Sequence, residues 1–218
     1  MQIIVKHDYL SLRQGARVLE ADSHGDKVLL LPDGNYLKLF RRKRLLSSAA
    51  LWPYAQRFAD NTRALHARGI PCPKIIAVFR IPAINRDAVH YAPLPGQTLR
   101  ELIKHDQATK NLRRRLAEFV ARLHAQGVYF RSLHLGNVVL TPDNEFGLID
   151  IADLKCQSHP LSRMQRIRNF QHMLRYDIDK QWLFSDPLNP EDFFGQYLSL
   201  SHSTMELADF VRKLDKKS

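Results

Sequence analysis

Hydrophobic and polar positions alternate along residues 16–40, which is the pattern of strands that bury one face. Short apolar runs separated by the polar turns SHGD and PDG predict a three-strand meander with Lys38 in the middle of its last strand. Apolar residues at helical spacing over 52–66 predict a helix, and the runs IIAVF and AVHYA predict two further strands. Residues 1–92 are therefore expected to form a five-stranded sheet with one helix.

The periodicity becomes helical after the segment PLPG. Apolar side chains at helical spacing predict an amphipathic helix that ends at Gly127: Leu112, Leu116, Phe119, Val120 and Leu123. Apolar runs on either side of TPDN predict a hairpin over 138–149, and two or three helices are expected to complete the chain. We therefore predict a second, mostly helical lobe over residues 93–218.

Composition and charge indicate an ordinary globular protein with an anion-seeking first half. The 218 residues are 44% hydrophobic and 25% charged, with 33 basic and 22 acidic side chains and a net charge of +11. Residues 1–90 hold 15 basic and 7 acidic side chains, a balance of +8. This charge suits nucleic acid, an anionic membrane surface or a phosphorylated substrate. No zinc-ligand spacing, aromatic RNA-binding strand or recognition helix is evident, so nucleic acid is the weakest of these.

Sequence signals of location favour a cytoplasmic protein. No apolar stretch has the length of a membrane span, and the opening MQIIVKHDYL lacks the plan of a signal peptide. Cys72 and Cys156 form neither a disulfide framework nor a metal-ligand spacing, which predicts reduced thiols.

Three separated features together suggest phosphoryl transfer. Lys38 lies between apolar neighbours in a strand, a polar loop runs from Arg131 to Asn137, and Asp150 ends an apolar strand. A kinase needs a lysine on the nucleotide phosphates, and an amide oxygen with a carboxylate can hold Mg²⁺. The alternatives are a lysine on an edge strand and two polar residues that cap neighbouring structure.

The order of these features resembles the protein-kinase-like fold. The segment FRS, followed by Asn137, aligns with the catalytic-loop pattern histidine-arginine-aspartate and a later asparagine. Asp150 follows Asn137 by 13 residues, which is similar to the spacing of the kinase metal-binding aspartate. The phrases GIPCP and LHAQGV resemble the lipopolysaccharide core kinases that phosphorylate Kdo or heptose, a family that includes toluene-tolerance proteins. The likeness covers about residues 16–176.

This resemblance implies an α+β, bilobal fold, with a small antiparallel-sheet N-lobe and a compact, mostly helical C-lobe. ATP and Mg²⁺ are the implied cofactors, with Lys38 on the phosphates and Asp60 the candidate replacement for its usual glutamate partner. Gly25 would be the remnant of a phosphate-covering glycine loop, or part of an ordinary hairpin turn. The linker that would meet adenine through its backbone contains Tyr91, Ala92 and Pro93.

The catalytic loop both matches the family and departs from it. Asn137 and Asp150 correspond to the Mg²⁺ ligands, whereas Ser132 stands where the family has its catalytic aspartate, next to a matching Arg131. A hydroxyl does not serve as a base near neutral pH. His134 would lie near the transferred phosphate or order the loop. Asp153, His134 or a water held by Ser132 are the candidates for a substitute base, with Asp153 first as the nearest further carboxylate to the expected metal site.

Two functions follow from this comparison. The first is an ATP- and Mg²⁺-dependent kinase that phosphorylates a sugar of the lipopolysaccharide core at the cytoplasmic face of the inner membrane. The second is a pseudokinase that binds nucleotide or anion and regulates a cell-envelope pathway, which the serine at position 132 favours.

Two basic segments bear on the expected partner, an anionic glycolipid or core sugar with peripheral association at the inner membrane. Arg41 to Arg44 would attract an anionic substrate or lipid, or form a solvated connector. Arg113, Arg114 and Arg115 are expected to be the solvated face of their helix.

Overall fold

A computed structural model describes residues 1–42, 52–201 and 203–215. The chain divides into two compact units, which are described separately. The first consists of Met1–Leu94 with Asp150–Asp153, and the second of Pro95–Ile149 with Leu154–Ser218. The mixed α+β architecture, with a sheet in the N-terminal region and helices in the C-terminal part, confirms the predicted fold class.

The first unit is built on one mixed sheet with the strand order β1-β5-β6-β4-β3-β2. All neighbouring strands are antiparallel except β1 and β5, which pair in parallel. Its regular elements are β1 (Gln2–Ile3), α1 (Lys6–Arg13), β2 (Arg17–Asp22), β3 (Gly25–Leu30), β4 (Tyr36–Arg41), α2 (Tyr54–His66), β5 (Lys74–Ile81) and β6 (Arg86–Ala92).

The expected five strands and one helix were too few, because the chain before residue 16 contributes both β1 and α1. Strand β1 has two residues, which is too short to show any alternation in sequence. Helix α1 has a weak pattern because Tyr9 is its one fully buried residue. Tertiary packing, and not a local sequence pattern, therefore stabilises β1 and α1.

The two faces of β4 have different surroundings. Leu37 and Leu39 are buried in a cluster to which α1 adds Tyr9. The intervening residues Tyr36, Lys38 and Phe40 are partly exposed and share the other face, as the alternation predicts. Phe40 stacks there on the ring of Tyr54 from α2, with centroids 6.1 Å apart. Lys38 therefore belongs to the sheet face that α2 covers.

Helices predominate in the second unit. Its strands β9 and β10 pair in the predicted antiparallel hairpin, and β7 pairs with β9 while β8 pairs with β11. Its elements are β7 (Gln97–Thr98), α3 (Leu99–Lys104), α4 (Lys110–Ala125), β8 (Val128–Phe130), β9 (Val138–Leu140), β10 (Phe146–Leu148), β11 (Leu154–Cys156), α5 (Arg163–Met173), α6 (Asp177–Leu183), α7 (Phe193–Leu200) and α8 (Leu207–Asp215). Over 154–201 and 203–215, α5 to α8 exceed the predicted two or three closing helices.

Helix α4 confirms its predicted amphipathic pattern. Leu116, Val120 and Leu123 are fully buried, and the side-chain oxygen of Thr109 caps the first turn by accepting the Leu112 N–H at 3.2 Å. The helix ends before Gly127, whose φ of +73° lies in the left-handed region. The three consecutive arginines were expected on the solvated face of this helix, which was wrong at Arg113, because its guanidinium is buried in a pair with Asp192.

Within residues 1–42, 52–201 and 203–215, none of the helices is long and apolar enough to cross a membrane.

Candidate active site

Lys38 lies in the interior of the first unit's sheet. Strand β4 runs between β3 and β6, and Lys38 is opposite Val28 on one side and Val89 on the other. The alternative of a lysine on an edge strand is therefore wrong. Its side chain is 19% exposed, so the long aliphatic stem is covered while the ammonium group reaches a polar partner.

That partner is Asp150. The Lys38 Nζ atom donates to Asp150 Oδ1 at 2.6 Å, across 112 positions of sequence. The carboxylate is 50% exposed, so its second oxygen can meet a ligand from solvent. Asp150 has a φ of +54°, a left-handed conformation that aspartate tolerates better than most residues. The first unit thus combines a buried-stem lysine with an accessible carboxylate.

A short segment after Asp150 fixes that conformation. Residues Ile151–Asp153 form a single 3₁₀ turn that packs against α2, and Asn61 Nδ2 donates to the Ile151 carbonyl oxygen at 2.7 Å. Asn61 is buried, as is the 3₁₀ turn at Ile151. A left-handed residue persists where the surrounding contacts define the backbone. Asn61 is a positioning residue that the sequence analysis missed, and its one signal was a polar residue within an apolar helical stripe.

Asp60 does not take the role expected of it. Its carboxylate accepts hydrogen bonds from Trp52 Nε1 at 2.8 Å and Gln56 Nε2 at 2.9 Å, and it also pairs with Arg63. The predicted Lys38–Asp60 pair is replaced by the Lys38–Asp150 pair. The physical reason is helical phase, because successive helix positions point in different directions, and Asn61 takes the buried one.

The predicted adenine linker lies at the end of β6. The Tyr91 ring is buried with its centroid 5.7 Å from that of Tyr36 and 5.1 Å from that of Phe58, and burial raises the pKa of its hydroxyl. Ala92 pairs with Lys74 of β5, and Pro93 is exposed. Since the Tyr91 side chain packs in the core and proline has no N–H, adenine recognition here would depend on the remaining backbone groups.

Gly25 closes the hairpin between β2 and β3. Asp22 is opposite Gly25 across the two-residue turn Ser23-His24, and Gly25 has a φ of +107°. A Cβ atom at Gly25 would meet nothing within 4 Å. The glycine is thus required by backbone conformation and not by close packing, which agrees with the hairpin-turn interpretation.

In the second unit, the carbonyl group of Ser132 organises the candidate catalytic loop. It accepts the His134 backbone N–H at 2.9 Å and the Asn137 side-chain Nδ2 at 2.9 Å. Nδ2 is the donor in this bond, so Oδ1, the acceptor atom of the buried Asn137 side chain, takes no part in it. The Ile149 N–H donates to the Asn137 carbonyl at 3.1 Å, and Asp150 is the next residue along the chain.

Asp179 of α6 anchors the same loop, although the sequence analysis did not identify it. Its fully buried carboxylate accepts Arg100 Nε at 2.9 Å and Arg100 Nη2 at 2.6 Å, in a bidentate pair. One of the two oxygens also accepts the backbone N–H of Leu135 at 2.9 Å. The Arg100 guanidinium lies so close to Gly136 that a Cβ atom there would come within 3.0 Å of it. An acid 44 positions after the loop gives no local signal.

The other predicted catalytic residues have distinct surroundings. The His134 ring makes an edge contact with Tyr176, with centroids 5.0 Å apart, which suits the loop-ordering alternative. Arg131 is exposed and has no ion pair with any described residue. Asp153 belongs to the first unit, in the 3₁₀ turn after Asp150, whereas Ser132 belongs to the second. The structure leaves their predicted catalytic roles as predictions.

A buried histidine supports the start of the loop. His124 of α4 contacts Tyr197 Oη through Nδ1 at 2.8 Å and Asn169 Oδ1 through Nε2 at 3.0 Å. Asn169 Nδ2 then donates to the carbonyl of Phe130, the residue before Arg131. Burial lowers the pKa of His124 to about 3. The LHAQGV segment therefore contributes a neutral, structural imidazole.

Comparison with known families places this geometry in context. Residues 16–131 match the phosphotransferase enzyme family, APH, which is more than half of the chain. The chain belongs to this family. Membership of this phosphotransferase family confirms the kinase-like part of the predicted resemblance and indicates a kinase-type phosphotransfer function. The match ends at Arg131, and no curated protein matches the chain.

Phosphotransferases of this family generally use ATP and Mg²⁺. In the first unit, the accessible carboxylate of Asp150 is an oxygen donor of the kind that suits such a cation. In the second unit, the Asn137 side chain bonds to the Ser132 carbonyl through Nδ2 and keeps its amide oxygen as an acceptor. Magnesium prefers oxygen ligands and completes its shell with phosphate and water. Among the described residues, no group of three histidine, cysteine, aspartate or glutamate side chains could hold a metal by itself.

Proposed function

We propose that the protein is an ATP- and Mg²⁺-dependent kinase that phosphorylates a sugar of the lipopolysaccharide core. The observation that carries this proposal is the 2.6 Å pair between Lys38 and the accessible carboxylate of Asp150. A kinase requires both groups at the nucleotide phosphates, one as a cation and one as a metal ligand. The family match to residues 16–131 supports the reaction class.

Each residue then has a defined task. Lys38 neutralises phosphate charge, and its interior position in the sheet limits the freedom of its stem. Asp150 is proposed as a magnesium ligand because of its accessible carboxylate, and Asn137 because of its place in the catalytic-loop motif. The charge of the ion offsets the negative charge that develops on the transferred phosphoryl group. Asn61 keeps Asp150 in its left-handed conformation through the Ile151 carbonyl.

An anionic, sugar-bearing acceptor is supported by charge. Residues 1–90 have a balance of +8, and Arg41 and Arg42 are both exposed at the end of β4. Lys43 and Arg44 lie outside the described residues. A basic surface of this kind favours a phosphate-bearing glycolipid and peripheral association with an anionic inner-membrane surface.

Ser132 favours a second candidate, a pseudokinase that binds nucleotide and regulates a cell-envelope pathway. The serine replaces a general base whose help is typically worth about 10²–10⁴-fold in rate. Phosphoryl transfer nevertheless depends mainly on positioning and electrostatic stabilisation, so a slower enzyme remains chemically consistent. We favour the kinase because the Lys38–Asp150 pair is intact.

Nucleotide binding is tested by thermal unfolding with ATP, in the presence and absence of Mg²⁺. We expect ATP with Mg²⁺ to raise the melting temperature of the wild type, because a ligand that binds the folded state stabilises it. Asp150→Asn should lose the Mg²⁺-dependent part of this rise. Asp8→Asn, which removes the same charge from an exposed position in α1, is the control. An equal rise in Asp150→Asn and Asp8→Asn would contradict the metal assignment.

Single-turnover transfer from ATP to core-sugar acceptors separates the two candidate functions. The kinase proposal expects weak transfer by the wild type and up to about 10²-fold faster transfer by Ser132→Asp, if a base is the missing group. A wild type that is active and not improved by Ser132→Asp would mean that another group already serves as base. Nucleotide binding without transfer in either protein would favour the pseudokinase.

A further inference from the structure

Arg86 is a buried cation at the start of β6. It is 6% exposed, and its Nη2 atom donates to the carbonyl oxygen of His24 at 2.6 Å. Within the described part of the chain, it forms no ion pair with a carboxylate. Among the described residues, its Nε and Nη1 atoms have no hydrogen-bond partner, and neither atom is fully sealed from solvent. Burying a guanidinium without a counter-charge is costly.

Acidic side chains close to Arg86 in the sheet have other partners. Asp26 accepts Arg13 Nε at 2.8 Å, and Asp22 Oδ1 accepts the His24 backbone N–H at 2.8 Å. The neighbouring residue, Asp87, pairs with Arg80 Nε at 3.0 Å. The charge of Arg86 is therefore not balanced by a direct carboxylate contact.

A second arginine faces Arg86 across the sheet. Arg41 of β4 is directly opposite Arg86 in the antiparallel register and is exposed. Like charges at opposed positions of neighbouring strands destabilise a sheet. An anion between the two guanidinium groups would offset this repulsion and give Arg86 the direct anionic contact that it lacks among the described residues.

This pair is distinct from the candidate kinase residues. Arg41 is three positions after Lys38 on β4, so the two side chains point to opposite faces of the sheet. Arg86 shares the face of Ala88, which belongs to the cluster that packs with α1. Lys38, in contrast, is opposite Val89 on the other face.

We propose that Arg86 and Arg41 form a second anion site, which takes a phosphate group on the α1 face of the sheet. Arginine suits this task because its planar group donates two parallel hydrogen bonds to phosphate oxygens. Arg86 supplies the fixed, buried part of the site, held by the His24 carbonyl, and Arg41 supplies the exposed part. The phosphate belongs either to a soluble ligand or to a lipid headgroup, since both present the same chemistry.

Inorganic phosphate is the first probe, titrated against sodium chloride of equal ionic strength and followed by thermal unfolding. We expect saturable stabilisation of the wild type, and binding weaker by about 10-fold to 100-fold in Arg41→Gln, which loses a charged hydrogen-bond donor. Arg17→Gln removes an equal charge from an exposed position on β2 and should bind as the wild type does. Lys38→Gln should also retain the effect, which separates this site from the nucleotide phosphates.

Arg41 is the principal variant because its exposure makes loss of folding less of a concern than at Arg86. Arg86→Lys gives an independent measurement, since it keeps the charge but loses the fork and should weaken phosphate binding by about 10-fold. Vesicles of phosphatidylglycerol then identify the source: binding that Arg41→Gln loses and Arg17→Gln keeps indicates a headgroup. Phosphate binding without vesicle binding indicates a soluble ligand. Equal phosphate effects in Arg41→Gln and Arg17→Gln would overturn the proposal and leave Arg86 as a tether for the hairpin.

Discussion

Replacement of Asp179 by asparagine should destabilise the second unit strongly. Asp179 is fully buried and receives two hydrogen bonds from Arg100 and one from the Leu135 backbone. An asparagine keeps the shape but removes the charge, and it turns one acceptor into a donor that faces other donors. Arg100, 20% exposed, would then lack a carboxylate partner.

We estimate the loss from the burial of this pair. Removing one partner of a buried ion pair typically costs about 3–5 kcal/mol, because the other charge stays desolvated and unpaired. The lost bond to the Leu135 N–H belongs to the same network, so its contribution is part of that figure and is not added to it. A cost of this size is a large fraction of the stability of an ordinary domain.

An exposed ion pair in the same unit provides the control. Asp209 pairs with Arg212 at 2.7 Å within α8, with side-chain exposures of 52% for Asp209 and 69% for Arg212. Asp209→Asn should therefore cost no more than about 1 kcal/mol. The two variants change the same functional group and differ in burial.

Urea unfolding followed by tryptophan fluorescence measures this difference. Trp182 lies in α6 with Asp179, and a Trp52→Phe background leaves Trp182 as the reporter of the second unit. Amide hydrogen exchange at Leu135 should also accelerate in Asp179→Asn, because the N–H loses its acceptor. A free energy of unfolding equal to that of Asp209→Asn, with unchanged exchange at Leu135, would refute the anchoring role of Asp179.

Three further predictions use buried or strained positions. Burial lowers the pKa of His124 to about 3 from an ordinary 6.5, so between these pH values the unfolded state binds more protons than the folded state. The free energy of unfolding should therefore fall as the pH decreases through 6.5. In urea unfolding between pH 7.5 and 5.5, His124→Gln should show a smaller change of this free energy with pH than the wild type. Gly127→Ala should lower the melting temperature far more than Gly69→Ala. An added Cβ atom at Gly127 would lie 2.4 Å from a backbone oxygen, whereas one at Gly69 would meet nothing within 4 Å. The two glycines have similar φ values of +73° and +64°, so backbone strain is matched. An aromatic disulfide reagent should label Cys156 before Cys72, whose thiol is buried with its pKa raised to about 12, and equal labelling rates would contradict this order.

Helix α4 shows what a sequence pattern can predict, which is its buried apolar face, and what it cannot predict, which is the burial of Arg113. The spacing in α4 predicted its buried stripe correctly, since periodicity reports which face is apolar. The same rule assigned Arg113 to solvent, yet its guanidinium is buried in a bidentate pair with Asp192 at 2.7 and 2.8 Å. The partner is 79 positions away, and no local pattern indicates such a contact.

The candidate catalytic motifs could be proposed from sequence because they are short and ordered along the chain. Lys38, Asn137 and Asp150 were predicted from their neighbours and spacing alone, and their catalytic roles stay predictions. Their partners could not be predicted, because Asp60 and Asn61 are adjacent in sequence and a rotation of the helix decides which of them faces the 3₁₀ turn at Ile151.

The sequence by itself determined the class of fold, the strand in which Lys38 lies between apolar neighbours, and the polar loop that holds Ser132 and Asn137. The tertiary structure alone decided that this strand lies inside the sheet, that Lys38 pairs with Asp150, that Asp179 anchors the loop, and that Arg86 is buried opposite Arg41. The reason is physical: periodicity and turn chemistry are local and repeat within a few residues, whereas charge pairing depends on which distant segments the packed core brings within about 3 Å of each other.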